Sequence, residues 1–309
     1  MNATKGFIPV MLTPFHEDGA IDYKALTALT EFYLESGSAG LFANCLSSEM
    51  FELTEAERLQ VIRHVLSVSA GQVPVVATGT FGGPIAGQAE FVRKVADLGV
   101  DAVILITGLL AGEQDPDSVF EENVFQLLDQ TGQVPVGFYE CPVPYKRLIS
   151  PRQLGQFVDT GRVIYHKDTC LDISLIREKL ALAKNPAFGL YDAYMVHAVE
   201  SLKAGAAGLS CIQGNFFPEL IVWLCEHYNQ EALADEVERV QQFMIDSMDV
   251  IHEVYPTVSK YFLQQRGFAL STYTRRKVGT FTPAIQARVD QLLLDFNALK
   301  ETIQLELAI

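Results

Sequence analysis

The sequence predicts an α/β protein, a (β/α)8 TIM barrel with a C-terminal helical extension, and three observations predict it. Eight short apolar or β-branched runs alternate with longer segments of helical periodicity between residue 7 and about residue 228. Several runs are apolar throughout, as strands covered by helices on both faces are. No dinucleotide-binding glycine fingerprint follows the first run, which separates the pattern from a doubly wound sheet of about five or six strands. The expected division is 1–228 for the barrel and 229–309 for a helical extension packed on it.

In chain order, the first expected strand, 7–12, precedes a helical pattern over 23–37, and 40–44 precedes 55–69. Thr54 with Glu57 is a capping box for the second helix. Strand 73–78 runs into Gly79, Thr80, Phe81, Gly82, Gly83 and Pro84, a piece without a P-loop lysine, read as a barrel-top loop before a helix over 86–99. Strand 102–107 is followed by 117–130, with Asp115-Pro116 as a cap and first-turn proline. Strand 134–140 is followed by 151–159, where Ser150-Pro151 repeats that signature. Strands 163–167, 187–191 and 208–212 alternate with helices over 172–184, 193–204 and 217–228. Gly99, Gly161 and Gly205 stand just past helix ends, where a left-handed residue is wanted. The segments 231–253, 256–265 and 282–306 are helical without further strand signals.

Composition narrows the function. With 49% apolar and 20% charged residues the chain can bury a large core. A net charge of −15 repels nucleic-acid backbones and anionic membranes, and the longest basic run is Arg275-Arg276-Lys277. No nucleic-acid or membrane partner is expected. The most apolar stretch, 102–111, is far below the roughly 20 residues needed to span a bilayer. The start of the chain lacks a signal-peptide core, and five cysteines without a C-x-x-C pair fit a reduced cytoplasmic protein. Cys45, Cys141, Cys170 and Cys211 fall near the expected rim on separate strands, with no zinc-ligand spacing, and are read as small buried thiols. No metal and no organic cofactor is expected.

Chemistry in a parallel barrel belongs at the C-terminal ends of the strands. Lys167 ends the run Val163-Ile164-Tyr165-His166-Lys167. An ordinary lysine with a pKa near ~10.4 is neutral in about one molecule in 2,500 at neutral pH, so imine formation needs burial or a nearby cation. A lysine closing an apolar strand can meet that need; a structural ion pair with Asp168 or another rim carboxylate is the alternative. Alternation puts Tyr165 on the face of Lys167 and turns His166 the other way, as a core histidine. Tyr139 ends the preceding strand, close enough for its phenol to move protons or simply to fill the barrel layer.

These residues resemble the N-acetylneuraminate lyase and dihydrodipicolinate synthase family, class I Schiff-base aldolases and dehydratases. The likeness runs through Leu12-Thr13-Pro14-Phe15, Glu49 with Leu53 to Arg58, Phe138-Tyr139-Glu140-Cys141-Pro142, and His166-Lys167-Asp168. It continues in Gly205-Ala206-Ala207-Gly208 with Asn215 and Pro218, and in Pro256, Lys260 and Gly267. The resemblance implies that Lys167 forms the Schiff base, Tyr139 shuttles protons, and Ser47 and Ser48 hold the carboxylate of a 2-oxo acid such as pyruvate; Ser210, at the C-terminal end of the eighth strand, is a further expected substrate contact.

The resemblance is that of a divergent member. The family's carboxylate-binding loop falls on Cys45-Leu46-Ser47-Ser48-Glu49, the tyrosine pair after strand four on Leu109-Leu110, and the arginine after strand five on Pro144. The expected reaction is therefore aldol cleavage of a 2-oxo-3-deoxy sugar acid or related hydroxy-oxo acid, not the dihydrodipicolinate synthase reaction. A dehydratase of such an acid and a non-catalytic small-acid-binding barrel are the alternatives. The resemblance also implies a homotetramer or dimer, although the lost tyrosine removes one subunit contact.

Overall fold

In a computed structural model, residues 2–303 are described. In chain order the elements are β1 (Gly6–Phe7), α1 (Tyr23–Glu35), β2 (Leu41–Ala43), α2 (Glu55–Ser69), β3 (Val75–Thr78) and α3 (Ile85–Ala96). There follow β4 (Ala102–Ile106), α4 (Asp117–Gln130), β5 (Val136–Tyr139), α5 (Pro151–Val158), β6 (Val163–Asp168), α6 (Ile173–Leu182) and β7 (Gly189–Asp192). Then come α7 (Ala198–Ala204), β8 (Gly208–Leu209), α8 (Pro218–His227), α9 (Ala234–Asp246), α10 (Met248–His252), α11 (Thr257–Gln265) and α12 (Pro283–Thr302). Residues 304–306 of the last expected helix lie outside the described residues. The chain forms two compact units, one of residues 2–6 with Pro74–Ser210 and one of Phe7–Val73 with 211–303.

The first unit is built on parallel pairing of β3 through β8 in sequence order. Every residue of β3, β4, β5 and β7 is buried, which explains why their sequences do not alternate. Tyr165 on β6 has glycines as its register partners, Gly137 on β5 and Gly189 on β7, the first making room for Tyr165 itself and the second for the ring of Tyr191. A Cβ on Gly137 would meet the Tyr165 Cβ at 2.7 Å, and one on Gly189 would meet the Tyr191 hydroxyl at 2.8 Å. Gly208 admits the close approach of the Gly6 backbone, whose carbonyl oxygen would lie 1.7 Å from an added Cβ.

Caps set several boundaries as expected. Thr54 and Glu57 form their capping box, and Ser150 caps α5 with Pro151 in the first turn. Gly99, Gly161 and Gly205 adopt φ of 95°, 73° and 106°. Asp115 behaves differently: its carboxylate accepts from the Gly112 N–H at 2.7 Å and closes a turn, so Pro116 itself precedes α4.

In the second unit the stretch expected as strand 7–12 is largely irregular. Pro9 has no N–H to give a ladder, which interrupts pairing and leaves an isolated parallel bridge of Val10 with Phe42, in which the Pro9 carbonyl accepts from the Phe42 N–H and the Met11 N–H donates to the Phe42 carbonyl. The expected helix over 231–253 is divided at Ser247, between α9 and α10. Its hydroxyl donates back to the Met244 carbonyl at 3.2 Å, the local competition by which serine interrupts a helix.

Candidate active site

Tyr139 and Lys167 are the last register pair of β5 and β6. Both are 4% exposed, and the Lys167 Nζ lies 4.4 Å from the centroid of the Tyr139 ring. Alternation carries Tyr165 to the same face, where its ring stacks on Tyr191 at 4.6 Å and its hydroxyl donates to Ser210 Oγ at 3.2 Å. The Tyr191 hydroxyl donates to the Thr4 carbonyl at 2.6 Å, and burial pushes that phenol well above its ordinary pKa. Of the expected residues, Lys167, Tyr139 and Ser210 thus share the strand ends of the first unit, with Tyr165 and Tyr191 beside them.

Behind this face sits a charged cluster. Lys179 on α6 donates to Glu140 Oε1 at 2.7 Å and to Asp168 Oδ2 at 2.6 Å, and His166 Nε2 lies 3.3 Å from that same Asp168 oxygen. All four side chains are buried. Asp168 pairs with Lys179 in this arrangement, and His166 occupies the far face as alternation expects. Glu140, His166 and Asp168 could in principle hold a metal ion, but the Lys179 ammonium occupies the cation position between their carboxylates.

Electrostatics in the cluster favour charge balance. Burial opposes ionisation of both acids, yet His166 and Lys179 hold Asp168 below the usual carboxylate range, and Glu140 is lowered by the same two neighbours. Burial also opposes charge on Lys179, but the two carboxylates push its pKa up, so it is a poor nucleophile. Burial pulls His166 down while Asp168 and Glu140 lift it, with a net rise.

The loop after β4, where the resemblance places the missing tyrosine pair, is braced from the loop after β5. Tyr145 donates its hydroxyl proton to the Ala111 carbonyl at 2.6 Å, and its own carbonyl approaches Gly108 so closely that a Cβ there would lie 2.4 Å away. Arg147 donates to Gly112 and Asp115 carbonyls at 2.9 and 2.8 Å and pairs with Asp117. Its guanidinium is therefore a loop fastener.

Ser47 and Ser48 lie in the second unit, on a single 3-10 turn, Leu46–Ser48. Ser48 donates its hydroxyl proton to the Met11 carbonyl at 2.6 Å and accepts from the Cys45 N–H at 3.0 Å. Ser47 has another environment. Tyr33 donates to Asn215 Oδ1, whose Nδ2 donates to the Val10 carbonyl at 2.9 Å and to the Tyr255 hydroxyl at 2.6 Å. A carbonyl can only accept, so Val10 fixes the amide's orientation; Tyr255 accepts from it and donates to Ser47 Oγ at 2.8 Å. Burial pushes the Tyr255 phenol up, which keeps the donating proton in place. The turn is anchored by Glu49, whose Oε1 accepts from Lys260 at 2.9 Å and Oε2 from the Arg276 N–H at 2.8 Å.

Lys179 and Tyr255 were not singled out in the sequence. Lys179 carries a signal: with Ile176 it marks the buried face of α6, and a lysine on such a face requires an acidic partner. Tyr255 offers none, since its role depends on Asn215, 40 residues away. The cysteines are free thiols, and among the described residues none joins a metal-binding group. No helix of the described residues is long and apolar enough to cross a membrane.

Comparison with known proteins agrees with this architecture. The model of the dihydrodipicolinate synthetase family matches residues 3–295. A 4-hydroxy-tetrahydrodipicolinate synthase of Shewanella piezotolerans is 24% identical over 266 residues, 85% of this chain and 88% of the relative. A probable 2-dehydro-3-deoxy-D-pentonate aldolase, YjhH of Escherichia coli, is 22% identical over 278 residues, 88% and 91% of the two chains. Among solved structures, E. coli YagE in complex with pyruvate has a TM-score of 0.82 at 22% identity, covering 96% of this chain and 98% of that one. A monomeric dihydrodipicolinate synthase variant has a TM-score of 0.85 at 19% identity, with 95% and 97% covered. The fold class is thus the (β/α)8 barrel with a C-terminal helical extension, and the chain belongs to the dihydrodipicolinate synthetase family.

Proposed function

We propose that this chain, a lyase of the dihydrodipicolinate synthetase family, cleaves a 2-oxo-3-deoxy sugar acid or related hydroxy-oxo acid through an imine on Lys167. The observation that carries the reading is the pairing of a buried lysine with a buried tyrosine at adjacent strand ends, 4.4 Å from amine to ring centroid. The Lys167 amine attacks the C2 ketone and water leaves. Tyr139 gives the proton with which the carbinolamine hydroxyl leaves as that water; the protonated imine then accepts the electron pair of the breaking C3–C4 bond, while the Tyr139 phenolate takes the proton of the C4 hydroxyl and an aldehyde departs. Protonation of the enamine at C3 and hydrolysis release pyruvate and restore the amine.

The substrate class follows from what the chain has lost. Leu109 and Leu110 stand where the resemblance expects the tyrosine pair, which disfavours the synthase reaction. The name of YjhH supports a sugar-acid aldolase, and the pyruvate complex of YagE supports a three-carbon oxo-acid half. Ser47 is proposed as a carboxylate donor, because it already accepts the Tyr255 proton and has its own to give. Ser48, also assigned to the carboxylate by the resemblance, gives its hydroxyl proton to Met11 and would contribute by shaping the turn. Ser210 is proposed as a further substrate contact. A homo-oligomer is part of the proposal and is read by sedimentation velocity.

The test is turnover. Incubation with a panel of 2-oxo-3-deoxy sugar acids should release pyruvate, detected by a coupled dehydrogenase, and Lys167→Ala should release none. Absence of pyruvate from every panel member, in a protein that 2-oxo acids bind and protect against unfolding, would favour a non-catalytic barrel.

A further inference from the structure

The ladder between β5 and β6 ends where the candidate residues begin. Tyr139 and Lys167 are its last register pair, and the next backbone bond, Glu140 N–H to the Lys167 carbonyl, is stretched to 3.4 Å. Side chains hold the strand ends together beyond that point. Glu140 follows Tyr139, Asp168 follows Lys167, and the Lys179 ammonium joins their carboxylates at 2.7 and 2.6 Å. Glu140 also accepts from Ile149 N–H and Thr169 N–H, each at 2.9 Å, and Asp168 from Cys170 N–H at 2.8 Å. One ammonium therefore ties the ends of both strands and both following loops.

We infer that Lys179 is a positioning residue, which through Glu140 and Asp168 sets the separation of the Tyr139 phenol from the atoms bonded to Lys167. This rests on the reading of Lys167 as the imine-forming residue. Because Glu140 and Asp168 face away from the substrate side, the cluster touches no reacting atom; it acts on geometry. A displacement of about 1 Å between a proton-transfer group and its target costs on the order of 10²-fold in rate. Nucleophilic attack by a lysine on a flexible stem is less demanding, so proton transfer should suffer and imine formation should not.

Two measurements on the whole chain separate these steps: borohydride trapping of the pyruvate imine by mass spectrometry, and exchange of the pyruvate C3 protons with D2O by NMR. Exchange removes a C3 proton from the imine to give the enamine and returns a deuteron from solvent, without net reaction. Lys179→Met should keep the adduct yield at saturating pyruvate and slow exchange on the order of 10²-fold, and Lys179→Arg, which can pair with both carboxylates, should recover much of it. If Lys179→Met does not fold, Glu140→Gln carries the same expectation. Exchange at the wild-type rate in a folded variant overturns the inference. Parallel loss of adduct and exchange also overturns it, by giving the cluster a general structural role. No adduct in the wild-type protein would instead remove the Lys167 reading itself.

Discussion

Replacing Lys260 by methionine isolates the anchor of the turn that carries Ser47. Lys260 Nζ lies 2.9 Å from Glu49 Oε1, and neither side chain has exposed surface. The lysine also donates to the Tyr273 carbonyl at 2.7 Å and lies 4.8 Å from the Phe15 ring centroid. Burial lowers its pKa and Glu49 opposes that shift. Methionine fills the stem's volume but removes the cation, leaving the buried Glu49 carboxylate with its hydrogen bond from the Arg276 N–H. Stranding one member of a buried pair costs about 3–5 kcal/mol. At about 2–4 °C per kcal/mol for a large domain, the midpoint should fall by roughly 6–20 °C.

Urea unfolding followed by circular dichroism and fluorescence measures the free-energy loss, provided that the two transitions coincide, and thermal melting measures the shift in midpoint. The companion is Glu49→Gln, chosen because φ of 57° disfavours a bulkier change and the amide oxygen can still accept from Arg276. The double variant removes both charges and should recover on the order of 2 kcal/mol of the summed single losses. Single losses that simply add, or a Lys260→Met loss below about 1 kcal/mol, would refute the assignment of this pair as a buried, mutually compensating anchor.

Other expectations follow from the same geometry. Tyr139→Phe keeps the ring beside Lys167 and removes the phenol, so pyruvate trapping should persist while C–C cleavage falls about 10²–10⁴-fold, read by steady-state kinetics. Tyr255→Phe leaves an amide hydrogen of Asn215 without its acceptor and Ser47 without its donor, costing about 1–3 kcal/mol in stability; the half-saturating 2-oxo acid concentration should rise more than kcat falls. His166 has a folded pKa above its ordinary value, so the stability it contributes is fully present below about pH 6.5 and is lost as pH rises through the raised folded value. Melting temperatures across that window should show a downward slope that His166→Gln lacks. Glu57, held at about 2 by its hydrogen bond to Arg275, gives the opposite sign: its contribution is present above about pH 4.5 and declines as pH falls towards 2.

Much of the first unit was legible because its strands and helices differ in period and its helix ends carry local chemistry. Ser150, Gly161 and Gly205 in that unit, like Thr54 in the second, act within a few residues of themselves, so a sequence window contains both partners. Lys167 and Tyr139 were legible for a related reason, as each closes an apolar run at a predictable end. The features that escaped depend on long separations. Lys179 meets Glu140 across 39 positions, and Tyr255 meets Ser47 across 208. The irregular course of 7–12 was readable in hindsight from Pro9, whose missing N–H outweighs the β-branched pattern around it.

The central claim is tested most directly by finding which amine carries an oxo acid. Three lysines are buried among the described residues, and their surroundings differ: Lys179 is held charged by two carboxylates, Lys260 is paired with Glu49, and Lys167 lies against a tyrosine ring. Pyruvate, borohydride reduction and peptide mapping by tandem mass spectrometry distinguish them in one experiment. The account predicts a single reduced adduct on the peptide containing Lys167, absent from Lys167→Ala. An adduct on Lys179 or Lys260, or none with pyruvate or any other 2-oxo acid, would contradict it.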